Sequence, residues 1–387
     1  MKNIGIVCEY NPFHNGHAKQ LRGISRAVCL MSGNYVQRAE PAIVDKYVRA
    51  RAAVECGASL VLELPITYAI ASAEGFADGA VEIFERLGCI DAISFGSEEG
   101  DIKNIMSTAK ALLQPEFSER LRSELDKGVS FPVARARALE EMGVMAIEKP
   151  NDILAVEYCK SILRRESKIE PMTILREGDY HGGSEQENPS ASFLRTMENW
   201  ESYMPAQAYE VFENAPRYSL AEGERAWLAR LRAMSESEFE ALPYGSEGLW
   251  RKLMHACRTE SDLESIVQAV KSKRYTRTRI MRLLLCAYLG ITEEMMQTPA
   301  PYVRVLAFND DGRKILRQMR NVSTIEIINA GQEPSDKAYW EMERRASDLY
   351  GLFLQNAIGK PMQEANARIF YKPEDFNEKN EKNTCNS

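Results

Sequence analysis

His14 and His17 lie one helical turn apart in Glu9-Tyr10-Asn11-Pro12-Phe13-His14-Asn15-Gly16-His17, and they are two of only four histidines in the chain. Ile4, Ile6, Val7 and Cys8 read as a buried strand before them, and Gly16-His17-Ala18-Lys19-Gln20-Leu21 reads as a helix start. The two histidines therefore fall in a turn from a strand end to a helix N-terminus. In an open α/β sheet, nucleotide phosphates are held there, because free N–H groups and the helix dipole favour an anion. Two imidazoles can add donors to a triphosphate, and Gly16 lets a phosphate chain approach the backbone. Two surface histidines in an ordinary turn are the plainer alternative; the preceding strand and Asn-Pro-Phe favour the functional reading.

The elements that must position these residues are legible in the first hundred positions, where short apolar runs alternate with helical patterns. This is the signature of a Rossmann-like parallel α/β sheet. Ala27–Met31 is a second strand, Leu60–Leu64 a third stopped by Pro65, and Ala92–Phe95 a fourth; helices cover 46–56 and about 73–87. Because ligands sit beyond the carboxyl ends of such strands, the turns after strands one, two and four converge on one crevice. Gly96 lets the chain pass close to a base or ribose, or is a plain strand-terminating glycine. Glu98 and Asp101 read as ribose or Mg²⁺ contacts, or, for Asp101, as a helix cap. Residues 101–150 are mostly helical and show no chemistry. Asn151 reads as a cap for the helix that follows, and Pro171–Leu175 is a fifth strand, ending at Arg176. Ser190, Ser192 and Arg195 at a helix start offer hydroxyls, backbone donors and a planar guanidinium fork; alone they would describe a serine-capped helix with one surface arginine.

From about Ser202 the strand alternation fades, and 220–234, 247–257, 262–271 and 278–289 read as helices. The segment Lys271-Ser272-Lys273-Arg274-Tyr275-Thr276-Arg277-Thr278-Arg279-Ile280-Met281-Arg282 carries six cations and no carboxylate. Lys271, Lys273, Arg274, Arg277 and Arg279 are candidates for RNA phosphates and Tyr275 for stacking on a base. A solvated helix face is the ordinary explanation of such a run. The expected division is a nucleotide-binding α/β domain over 1–201, a mainly α-helical RNA-binding domain over 202–371 that includes Tyr302–Phe308, and a disordered polar tail over 372–387.

Several of these stretches resemble known families. Asn-Pro-Phe-His-Asn-Gly-His resembles the His-x-Gly-His signature of the nucleotidyltransferase superfamily, although Glu9 and Asn11 stand where many small adenylyltransferases have Thr or Ser and Asp. Pro189-Ser190-Ala191-Ser192-Phe193-Leu194-Arg195 is similar to that superfamily's Ile-Ser-Ser-Thr-x-Ile-Arg signature, departing from it at Pro189 and Ala191. Val-Cys-Glu-Tyr-Asn-Pro-Phe-His-Asn-Gly-His, with Met31-Ser32-Gly33-Asn34-Tyr35-Val36-Gln37-Arg38 after it, resembles the narrower family of bacterial tRNA(Met) cytidine acetate ligases. The stretch from Pro150 to Tyr158 resembles that family too, with Asp152 departing from its wording. The resemblance implies ATP-binding catalysis for the domain over 1–201 and tRNA binding for the domain over 202–371. It implies ATP contacts along Val7, Cys8, Glu9, Tyr10, Asn11, Pro12, Phe13, His14, Asn15, Gly16, His17, Ala18, Lys19 and Gln20. It implies further contacts at Asn151 and Arg176, with Ser190, Ser192 and Arg195 on the β- and γ-phosphates. His14 and His17 are the catalytic candidates. Acetate would attack the α-phosphorus of ATP, giving acetyl-adenylate and pyrophosphate. The acetyl group would then pass to cytidine N4 at the wobble position of elongator tRNA(Met), giving N4-acetylcytidine. Mg²⁺ is the expected companion of ATP.

The 387 residues, 44% of them hydrophobic, can fill two cores. A net charge of −7 and a pI near 5.5 suit a cytoplasmic protein and leave room for a local basic face. No apolar run approaches the ~20 residues that cross a bilayer, and no membrane or stable protein partner is expected. The eight cysteines form no Cys-x-x-Cys pair and read as reduced, buried residues, so a zinc site is disfavoured. An adenylyltransferase acting on a small phosphate or nucleotide acceptor is the competing enzyme. A non-catalytic RNA-binding protein is the competing class, and acetyl-CoA-dependent transfer is disfavoured.

Overall fold

The computed structural model describes residues 1–145, 147, 149–175, 191–272, 274–357, 359–361 and 364–373. Among the described residues, ten strands form in chain order. They are β1 (Ile4–Cys8), β2 (Ala27–Ser32), β3 (Tyr35–Val36), β4 (Glu40–Pro41), β5 (Leu60–Leu64), β6 (Ala92–Ser97), β7 (Glu170–Leu175), β8 (Tyr302–Asn309), β9 (Glu326–Asn329) and β10 (Phe370–Lys372). Eight of them make one sheet, in the order β10-β8-β5-β2-β1-β6-β7, with β9 also paired to β8. From β5 to β7 every pairing is parallel, and chain order reverses at β1, which lies between β2 and β6. The crevice beyond the carboxyl ends of β1 and β6 is the switch point at which such sheets bind ligands.

Side-chain alternation splits the central strands between two cores. Val28 and Leu30 of β2 face one side, with Leu60, Leu62, Ile93 and Phe84. Ala27, Cys29 and Met31 face the other, with Ile6, Val61 and the helix Lys46–Glu55. Burial on both faces explains why these strands read as nearly continuous apolar runs.

The expected separation at residue 202 needs correcting in one respect. Residues 302–308 are not helical-domain packing: they belong to β8, which lies antiparallel to β5 and carries β9 and β10 end to end along its far edge. The run Tyr-Val-Arg-Val-Leu-Ala-Phe is buried and β-branched, and suits a strand covered on both faces. The helices between 206 and 297 are an excursion between β7 and β8. Trp227, Leu283, Tyr288 and Leu289 share one continuous apolar core with Leu62, Tyr302 and Val303. Among the described residues, no helix is long and apolar enough to cross a membrane. Cys8, Cys29, Cys89, Cys159, Cys257 and Cys286 are buried free thiols, and Cys56 is half-buried.

Candidate active site

β1 ends at Cys8, and the chain turns sharply through the next six residues. Tyr10 adopts φ 48°, a left-handed conformation that costs a non-glycine residue of order 1 kcal/mol, and the Asn11–Pro12 peptide is cis. The turn is held from inside. Tyr10 is buried with its ring edge-on to Phe13 and His17 at 4.9 and 5.0 Å, and Asn11 Oδ1 accepts the Ile43 N–H at 2.8 Å. Arg49, fully buried, donates from Nη1 to the Glu9 carbonyl at 2.5 Å and the Ser32 carbonyl at 3.1 Å, and from Nε to the Val44 carbonyl at 2.8 Å. One guanidinium thus ties the ends of β1 and β2 together. Its sequence context, an arginine in an ordinary helix, gave no sign of this.

The histidines open the helix Asn15–Leu21. His14 Nδ1 accepts the Gly16 N–H at 3.1 Å, and His17 Nδ1 accepts the His14 N–H at 3.3 Å. These bonds fix the tautomer: both Nδ1 atoms are acceptors, so both Nε2 atoms carry hydrogen. The rings lie 3.8 Å apart at 32° and present a pair of N–H donors. Gly16 is required more by its neighbour than by a ligand, since a Cβ there would lie 2.9 Å from His14 Cε1.

Around this turn is a cleft of about 360 Å³, within the range for small-ligand sites. Val7, Cys8, Glu9, Tyr10, Asn11, His14, His17, Gln20, Gly96, Asn151, Ser192 and Arg195 line it. The other nominated residues lie elsewhere. Pro12, Phe13 and Ala18 are buried beneath the turn, where the reversal of the chain needs apolar support, and Lys19 is exposed on the outer face of the helix. Asn15 and Gly16 form the helix start without lining the cleft. Arg176 and Ser190 lie outside the described residues.

Sequence reasoning passed over several wall residues: Val36, Gln37 and Arg38 after β2, and Phe76, Phe95, Leu154 and Tyr158. The first three end the stretch from Met31 to Arg38, which carried the family resemblance without being read as a site. Arg38 Nη1 and Arg195 Nη2 both donate to Ser192 Oγ at 3.2 Å, and Arg195 Nη1 donates to the Asn11 carbonyl at 3.0 Å. Phe95 and Tyr158 stack with centroids 5.7 Å apart, giving an apolar wall beside Gly96. The cleft thus has a cationic side with N–H donors and an apolar side with a flat ring pair.

Two expectations on the far wall change. Glu98 is taken up by the fold: it accepts from Asn151 Nδ2 at 2.5 Å, Asn151 N at 3.3 Å and Asp152 N at 3.0 Å. It satisfies the N-terminal donors of the helix Pro150–Arg164, where a carboxylate also complements the dipole. Asn151 is therefore held by Glu98 and is not the cap; the cap position is Lys149. Asp101 is a helix cap, accepting from Lys103 N and Asn104 N at 2.9 and 3.1 Å.

The basic segment also looks different in space. Arg274 pairs with Glu247 at 2.5 Å and Arg277 with Glu264 at 2.6 Å. Arg279 donates to the Tyr244 carbonyl at 3.0 Å and to Ser246 Oγ at 3.0 Å, and Tyr275, half-buried, packs 5.4 Å from its guanidinium. The missing carboxylates come from neighbouring helices and loops, which a linear reading of 271–282 cannot see. Lys271 is exposed, and Lys273 lies outside the described residues. Arg282 reaches the cleft rim, donating to the Ala71 carbonyl at 2.9 Å.

This fold and this pair of histidines at the switch point are those of a nucleotidyl transferase, and residues 1–365 match the family described as HIGH Nucleotidyl Transferase. The chain belongs to that family, within its tRNA(Met) cytidine acetate ligase branch. It is 35% identical to the tRNA(Met) cytidine acetate ligase of Acetivibrio thermocellus, the match covering 95% of this chain and 99% of the relative. With the same enzyme of Clostridium novyi it shares 37% identity, over 94% of this chain and 95% of the relative. The crystal structure of Thermotoga maritima TmcAL bound with alpha-thio ATP superimposes with a TM-score of 0.86 at 30% identity, covering 97% of this chain and all of that one. Its apo form gives 0.87 at the same identity.

Proposed function

We propose that this chain is an ATP-dependent ligase that activates acetate as acetyl-adenylate and transfers the acetyl group to cytidine in tRNA(Met). The observation that carries the reading is the cationic side of the cleft, where the Nε2–H groups of His14 and His17 share the cavity with Arg38 and Arg195. A triphosphate laid along this side meets preorganised donors, and its adenine rests on the Gly96, Phe95 and Tyr158 side. The resemblance to curated ligases over nearly the whole chain supports the choice of acetate and tRNA(Met).

In the first step an acetate oxygen attacks the α-phosphorus and pyrophosphate leaves. No covalent enzyme intermediate is needed. The histidines and arginines act by positioning and by stabilising charge that grows on the phosphate oxygens. Among the described residues, no group of three His, Cys, Asp or Glu could hold a metal. Mg²⁺, the usual companion of ATP, would supply further neutralisation of charge on the phosphates. In the second step the N4 amine of cytidine attacks the acetyl carbonyl and AMP leaves, which yields N4-acetylcytidine; the wobble position of elongator tRNA(Met) is the proposed target. Residues 1–201 carry the chemistry in this reading, and the helical excursion with Lys271, Arg274 and Arg277 meets the tRNA, in the cytoplasm where tRNA resides.

The test is transfer of label from carbon-14 acetate to bulk tRNA with ATP, followed by nucleoside mass spectrometry. Acetate- and ATP-dependent N4-acetylcytidine is the expected result. Pyrophosphate release with another acid or phosphate, and no label in tRNA, would replace this reading with that of a small-molecule adenylyltransferase.

A further inference from the structure

The second step must dispose of a proton from the cytidine amine, and the cleft narrows the choice of acceptor. His14 and His17 are unsuited: their Nδ1 atoms are occupied by backbone N–H groups, so Nε2 already carries hydrogen. Cys8, Tyr10 and Tyr158 are buried and stay protonated at neutral pH, since desolvation pushes each well above its ordinary value. Arg38 and Arg195 have no basic atom to offer. Among the described lining residues, Glu9 is the one carboxylate.

Resting on the ligase reading above, we propose that Glu9 is the catalytic base of acetyl transfer. Its backbone is pinned by Arg49 at the Glu9 carbonyl, and its side chain by the Gln37 N–H, which donates to Oε1 at 2.7 Å. Both anchors hold the carboxyl at the carboxyl end of β1, beside the arginines that face the phosphate. Burial raises its pKa against the Gln37 hydrogen bond and the Arg195, Arg49 and Arg38 cations. A half-buried carboxylate so placed is a stronger proton acceptor than a fully exposed one. In the step, the N4–C bond forms and the bond from the acetyl carbon to the AMP oxygen breaks. Its electron pair leaves on AMP, and the amine proton passes to a Glu9 oxygen, from which it is lost to solvent.

The test measures the two steps separately: acetate-dependent pyrophosphate release without tRNA, and acetyl transfer from preformed acetyl-adenylate to tRNA. Glu9→Gln keeps an oxygen for the Gln37 N–H and removes the base, so it is expected to slow transfer by ~10²–10³-fold. The first step should fall far less, and Glu9→Asp should recover part of the transfer rate. Equal loss in both steps overturns the proposal. So does normal transfer by Glu9→Gln with failure of Glu9→Ala, which would make Glu9 only an anchor for Gln37. A raised Mg²⁺ requirement of the first step in Glu9→Gln would overturn it in favour of a metal ligand. If the wild-type protein releases no pyrophosphate with acetate, it is the ligase reading that falls.

Discussion

The cleft and the ion cluster behind it both set cations against oxygen, half-buried in the first and fully buried in the second, with different results. In the cleft, Arg38 and Arg195 share the Ser192 hydroxyl and Arg195 adds a backbone carbonyl. Such bonds orient a guanidinium at the wall of the cavity. Behind the sheet, Lys46 and Arg304 meet Glu63, Glu343 and Glu364. Lys46 Nζ lies 2.8 Å from Glu63 and 2.6 Å from Glu364; Arg304 pairs with Glu63 and lies 3.3 Å from Glu343. The space beside this cluster holds only about 10 Å³, roughly one water. Charge satisfied inside the protein builds the scaffold, and charge oriented toward a cavity builds the site. The scaffold cluster links β5, β8 and three segments far apart in sequence, so it joins the late strands to the early ones.

The largest effect should come from breaking the scaffold side. Arg304→Met leaves three carboxylates facing Lys46 alone, and removing one partner of a buried pair costs about 3–5 kcal/mol. Denaturant unfolding should show it as a lower midpoint. A loss below about 1 kcal/mol would mean that the cluster rearranges freely. The same cluster gives a pH dependence. Burial alone would raise the Glu364 carboxyl, but Lys46, Arg304 and the Ser347 hydroxyl together hold it down, from 4.5 to about 2. A depressed carboxylate stabilises the fold above its unfolded pKa, so this contribution is complete near neutrality. It is lost as pH falls from about 4.5 toward 2, and an unfolding series across that range should lose less stability in Glu364→Gln than in the wild type.

On the cleft side, His17→Ala removes one preformed donor and should slow acetate-dependent pyrophosphate release by about 10²–10³-fold. His14→Ala should do the same and also lose the N-cap side chain, about 1 kcal/mol of stability, while His17→Ala loses the reciprocal bond from the His14 N–H. Near-normal release by a folded His17→Ala would remove the histidines from the chemistry. Arg38→Ala is next: a charge-assisted bond is worth about 1.5–3 kcal/mol, which should appear as a 10- to 100-fold weaker ATP KM with little change in fold. A normal KM would make Arg38 a strut for Ser192.

The strands and the histidine turn were legible in the sequence, for physical reasons, and the ion cluster was not. Strands buried on both faces read as apolar runs, and a local motif such as His14 to His17 carries its own geometry. The role of Arg49 was not legible, because a buried arginine and an exposed one look alike on a helix. Nor was β8, whose partner β5 lies about 240 positions earlier in the chain. Glu98 illustrates the same limit: an acidic residue at a strand end suggested a ligand, while its real partners are the N–H groups of a helix that begins more than fifty positions later.

The smallest effect sharpens the comparison most, because the basic segment lies between the two cases. Arg274 and Arg277 are paired like the scaffold cations, yet their pairs with Glu247 and Glu264 are largely exposed. Exposed pairs contribute about 0–1 kcal/mol, so an incoming phosphate can displace either carboxylate at little cost. Arg274→Ala with Arg277→Ala should therefore leave stability and acetyl-adenylate formation nearly unchanged. The tRNA KM of the transfer step should rise, and the salt dependence of tRNA binding should flatten by roughly one unit of log-log slope for each phosphate that is no longer neutralised. Unaltered tRNA binding would class these arginines with the scaffold, as latches on the loop around Tyr244 and the neighbouring helix. Weaker binding would show that an exposed pair with a carboxylate can serve as a covered phosphate site.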